Sequence, residues 1–131
     1  EARCALDVEA ARLAARRATP ATIRDLRALL AQRGRSDDGD RQAFVERDLA
    51  FHTAVIAASG NLALVELFDF FSTSITETIR ATTGGDLPEP DLAAHAAIVD
   101  AIETGDPDKA DAAVRRFMAP VFAFLDERLE P

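Results

Sequence analysis

Apolar residues recur at three- and four-residue intervals along almost the whole chain, and no segment sustains the two-residue alternation that a strand requires. The sequence therefore reads as all-α. Turn residues divide this pattern into six helices. Thr19-Pro20 and Asp106-Pro107 each pair a side-chain oxygen that can accept from first-turn amides with a proline whose missing N–H costs nothing there. Gly34, Gly60 and Gly105 stand where helices should stop. These signals predict helices over 2–17, 20–34, 40–59, 62–81, 90–104 and 107–129, with Asn61 as a cap and a flexible connection over 82–88. Pro120 lies inside the last helix, where it removes a donor and crowds the carbonyl of Arg116, so a kink is expected there. Short turns favour antiparallel neighbours, and 131 residues suffice for one core. The expectation is a single domain over 1–131, an antiparallel bundle of about six helices.

Charge narrows what such a bundle can bind. Fifteen basic residues face 23 acidic ones, a net charge of -8, which repels a phosphate backbone; this segment does not itself read DNA. The lone Cys4 excludes an internal disulfide and a cysteine-rich zinc site, as expected of a reducing, cytoplasmic setting. No stretch approaches the roughly 20 apolar residues of a membrane span, so no membrane partner is expected. The chain opens at Glu1, in residues that already read as helix, as a piece of a longer protein would.

The chemistry centres on two histidines. His52 and His95 each sit on the apolar stripe of their helix, and Asp48 lies one turn before His52 on the same face. An inward carboxylate is costly unless it is paired or ligates a cation. Asp48, His52 and His95 would form an N2O set suited to Zn, Ni, Mn or Fe with positions left open. Two other readings fit the spacing: a structural Asp48–His52 ion pair beside a core His95, and an acid–base pair in a small helical metalloenzyme. Against the enzyme, no nucleophile stands in a strained turn and no glycine-rich loop could cradle phosphate. Arg3, Arg80, Arg115 and Arg116 could grip an organic acid, or simply form a solvated surface. Phe68, Phe70 and Phe71 suit packing. Ser72, Thr73, Ser74 and Thr76 are unusually polar for mid-helix and could line a polar cavity where they face inward.

Several segments in order carry a resemblance. They are Glu1-Ala2-Arg3-Cys4-Ala5-Leu6-Asp7, Asp48-Leu49-Ala50-Phe51-His52, Ala58-Ser59-Gly60-Asn61, His95-Ala96-Ala97-Ile98 and Ala101-Ile102-Glu103-Thr104-Gly105-Asp106. Together they resemble the FCD domain, the C-terminal effector-binding half of FadR-subfamily GntR transcription regulators. The resemblance implies a helical bundle that senses a small carboxylate metabolite and forms a homodimer. Operator DNA would be bound by an N-terminal winged helix-turn-helix that this stretch does not include. The resemblance also implies a metal held by Asp48, His52, His95 and one further histidine of the last helix, but that position is Phe117. Three protein ligands would remain for a divalent ion such as Zn, Ni or Mn, with water or effector oxygen completing the shell. Arg3 matches an arginine of the family's opening motif and is the first choice for the effector's carboxylate; Asn61, Ser72, Thr76, Arg80 and Phe117 complete the expected effector site. The alternatives to a sensor are the metalloenzyme and a metal-free dimerisation module whose pocket has filled.

Overall fold

The computed structural model describes residues 1–35, 39–83 and 89–129. Among them are α1 (Ala2–Arg17), α2 (Pro20–Arg33), α3 (Arg41–Ala58), α4 (Leu62–Phe70), α5 (Ser72–Thr82), α6 (Leu92–Glu103) and α7 (Pro107–Leu129), with no strand. The predicted capping is realised. Thr19 accepts from the Thr22 amide at 3.2 Å, and Asn61 accepts from Ala63 and Leu64 at 3.1 and 3.4 Å. Asp106 accepts from Asp108 and Lys109 at 2.9 and 3.3 Å. Gly60 closes the turn after α3 at φ 60°, a left-handed conformation that other residues adopt only at a cost. Beside it, Arg17 Nη1 donates to the Ser59 carbonyl at 2.7 Å and ties the end of α1 to that turn.

One expected helix is two. The pattern over 62–81 breaks at Phe71, whose φ of -87° and ψ of 3° leave the helical range. The hydroxyl-rich stretch that follows weakens a continuous helix, because its side chains compete for backbone carbonyls. Thr76 donates back to the Ser72 carbonyl at 2.8 Å and Thr78 to that of Ser74 at 2.9 Å. Of the flexible connection expected at 82–88, residues 84–88 lie outside the described residues. Thr82 and Thr83 do not belong to it: both are buried, and both hydroxyls donate to the Ile79 carbonyl at 2.8 Å. Pro120 lies within α7, which continues past it.

The helices share a core laid along α1. Ala10, Ala11 and Ala14 are fully buried, and their small side chains let α3, α6 and α7 approach the α1 backbone closely. One apolar cluster joins α1, α2, α3, α6 and α7 through Val8, Leu26, Phe51, Val99, Ile102 and Val114. A second joins α1 and α3 to α4 and α5 through Ala10, Val45, Ile56, Phe68, Ile75 and Ile79. Each large side chain removed from water stabilises the fold by about 1.5–3 kcal/mol. Set into this apolar interior is a group of buried polar residues: Asp7, Arg33, Asp48, His52 and His95.

Candidate metal centre and ligand cavity

Helix α3 carries Asp48 and His52 one turn apart on its buried face, and α6 delivers His95 from its first turns. All three are at least 95% buried. Asp48 Oδ1 lies 3.0 Å from His95 Nε2, and Asp48 Oδ2 lies 3.6 Å from His52 Nε2. Neither Nε2 has a hydrogen-bond partner among the described residues, although both are sealed from solvent. The orientation of His95 explains its orphaned atom. Its Nδ1 stands 2.7 Å from the Asp91 carbonyl, which can only accept, so Nδ1 carries a proton, and in the neutral tautomer Nε2 is then the lone pair. Asp91 does two things at once, because its carboxylate also caps α6 by accepting from the Ala94 amide at 2.8 Å.

A bare imidazole nitrogen facing a carboxylate oxygen is two acceptors in contact, an arrangement that a cation resolves. The donor spacing suits one. Tetrahedral zinc with bonds of roughly 2.0–2.1 Å has ligand atoms roughly 3.3–3.4 Å apart, between the two observed separations, and one atom from each of the three residues falls within 4.8 Å of the others. The electrostatics agree. Burial and the positive charge of Arg3 push His52 well below the ordinary histidine range, leaving its lone pair free. Burial pushes the Asp48 carboxyl up, but the two histidines that face it and the Arg33 guanidinium hydrogen-bonded to it outweigh burial and hold the group ionised. The family-derived fourth corner is filled by a ring: Phe117 stands edge-on to His95 at 4.7 Å and to His52 at 5.5 Å, and offers no lone pair.

Arg33 is the residue that sequence reasoning missed. It is 99% buried at the end of α2, where its Nε hydrogen-bonds Asp48 Oδ1. Its other nitrogens donate to the Gly34 carbonyl at 3.0 Å, the Pro90 carbonyl at 3.2 Å and Glu89 at 3.4 Å, and the guanidinium lies 4.7 Å over the Phe44 ring. A signal existed: the buried positions of α2 are Ile23, Leu26, Leu30 and Arg33, so the arginine continues the apolar stripe.

Arg3, Arg33, Asp48, Thr78, Thr82, Thr83, His95 and Phe117 line a cavity of about 20 Å³, room for a single water. Arg3 approaches Asp7 to 3.3 Å, but its Nε and Asp7 Oδ2 complete no hydrogen bond despite their burial. Burial raises the Asp7 carboxyl against the pull of Arg3. Of the residues expected to contact an effector, Arg3 and Phe117 thus reach the cavity. The other four do not. Asn61, whose oxygen caps α4, and Thr76 are not among the residues that line it. Arg80 pairs with Glu77 at 2.8 Å and Gln42 at 3.1 Å, away from the cavity. Ser72 opens α5, whereas Thr78, Thr82 and Thr83 at its far end line the space. Of the other arginines, Arg115 pairs with Asp111 and both it and Arg116 are exposed.

Residues 1–119 match the family model of the FCD domain. A relative from Paenarthrobacter nicotinovorans, named as a probable D-xylose utilization operon transcriptional repressor, is 34% identical over 85 residues. That match covers 64% of this chain and spans 37% of the relative's length.

Proposed function

Because this chain belongs to the FCD domain family, we propose that it is the ligand-sensing half of a GntR-type transcription regulator, and that it senses a small organic acid with the help of a divalent metal. One observation carries the reading: two buried imidazoles turn unpartnered Nε2 atoms toward one ionised carboxylate. Asp48, His52 and His95 would hold zinc, nickel or manganese, ions that accept mixed imidazole and carboxylate donors. Three protein ligands leave open positions, and an effector carboxylate would fill one of them, with Arg3 and the hydroxyls of Thr78, Thr82 and Thr83 beside it. About 20 Å³ does not hold an organic acid. Binding would therefore favour a more open arrangement of the helices, and that difference in affinity is what couples the ligand to the rest of a regulator.

The chain's net charge of -8 disfavours a phosphate backbone, so operator binding would fall to the N-terminal winged helix-turn-helix that the resemblance to FadR-subfamily regulators implies. Self-association would use α4, where Leu62, Leu67 and Phe70 are 70%, 45% and 80% exposed. The phenyl rings of Phe51 and Phe117 beside the histidines support a sensor over a catalyst. The metal-free dimerisation module has its own support in the Phe117 ring, which fills the corner a fourth ligand would occupy.

Elemental analysis of the dialysed chain, beside His52→Ala and His95→Ala, separates these readings. Near-stoichiometric metal that both variants lose supports the sensor with a metal; a metal-free wild type supports the module. Calorimetry with short mono- and dicarboxylates on the metal-loaded chain then tests the effector class, and no heat with any of them would sink it.

A further inference from the structure

We propose that Arg33 is the resident counter-cation of this cluster: it holds Asp48 when no metal is bound, competes with metal for that carboxylate, and so lowers the affinity of the domain for a divalent ion. The proposal rests on the metal reading above. Asp48 is buried in the bundle, and a carboxylate enclosed there without a cation beside it is costly. Arg33 answers that need, but on Oδ1, the oxygen that also faces His95 Nε2.

A metal ion bound to that oxygen would lie roughly 4–5 Å from the guanidinium, summing a hydrogen bond and a metal–oxygen bond. Like charges at that distance repel strongly inside a protein. An amine could relieve the repulsion by losing its proton, but a guanidinium does not deprotonate, so Arg33 must weaken its bond to Asp48. Among the described residues its remaining anchors are the Gly34 and Pro90 carbonyls and Glu89, at the end of α2 and just before α6. Arrival of metal would therefore be felt at both places. A purely supporting arginine, present to aim Asp48 at the metal, would have the opposite effect on affinity.

The sign of that effect is the test. The chain is stripped with a chelator and titrated with Zn²⁺ against a chromophoric competitor, as wild type, Arg33→Met and Arg33→Lys. Removing a group that supports a metal ligand typically costs roughly 10- to 100-fold in affinity; here the sign is reversed, and Arg33→Met should bind zinc at least ~10-fold tighter, with Arg33→Lys between it and wild type. Equal or weaker binding by Arg33→Met, with wild type binding normally, overturns the role of Arg33 and leaves the metal site standing. Zinc bound by neither protein, or bound equally well by His95→Ala, overturns the metal reading and this proposal together. Should Arg33→Met not fold, nitrogen-15 spectra of the wild type decide. The Arg33 Nε–H signal, protected in the stripped chain, should shift and exchange faster at saturating Zn²⁺, and an unchanged signal overturns the proposal.

Discussion

His52 is buried among Asp48, Phe51 and Phe117, and its surroundings keep it neutral. Its folded-state pKa is depressed while the unfolded chain protonates it near ~6.5, so below that pH the unfolded state binds more protons and stability falls as pH falls. In chelator, the unfolding free energy should drop by up to about 1.4 kcal/mol per pH unit between about pH 6.5 and 5 on account of this residue. Chemical denaturation of His52→Gln over the same range should show a shallower slope; an identical slope would mean that another group is responsible. Phe117 invites the reverse experiment. Phe117→His returns a lone pair to a position 4.7 Å from the His95 ring, and we expect zinc binding by titration to tighten at least ~10-fold, within the range expected for metal-site changes. The same substitution exchanges a buried apolar ring for a polar one, so the metal-free chain should lose about 1–3 kcal/mol.

Helix boundaries were legible because caps are local chemistry, and each helix start announced by Thr19, Asn61 or Asp106 is built as the sequence implies. The same locality gives Asn61 another task, since its oxygen already serves two amides of α4. Asn61→Ala should cost about 1 kcal/mol in thermal unfolding and leave carboxylate binding, measured by calorimetry, unchanged. A loss of binding without a loss of stability would return Asn61 to the effector site. The break at Phe71 was not legible. Apolar groups continue at helical intervals through Phe68, Phe71, Ile75 and Ile79, and the hydroxyls that compete for the backbone there are tolerated in many helices. Missing the break also misplaced the cavity hydroxyls, which come from Thr78, Thr82 and Thr83 at the far end of α5.

At the scale of the whole molecule, the bundle buries Ala10, Ala11 and Ala14 to bring α1 against its neighbours, yet leaves Leu62, Leu67 and Phe70 on α4 exposed. On the proposed reading these side chains form the self-association surface. Phe70→Asp should make the chain monomeric in sedimentation velocity while changing its own stability by no more than about 0.5 kcal/mol, as at most surface positions. A wild type that sediments as a monomer would remove α4 from the self-association reading.

What this sequence determined by itself is whatever acts over one or two turns of helix: the all-α class, the caps, and the shared face of Asp48 and His52 four residues apart. What only the tertiary structure decided is what those residues meet. His95 lies 47 positions beyond Asp48, Arg33 lies 15 before it, and Phe117 arrives from α7. Helical periodicity says that each of these side chains points inward but not what it will face, because contacts between helices depend on how whole helices pack and not on the spacing within any one of them. Arg33 shows the cost of that blindness: on α2 it is a basic residue in a last turn, as many helices have, and only the packing of α2 against α3 makes it the cation beside Asp48.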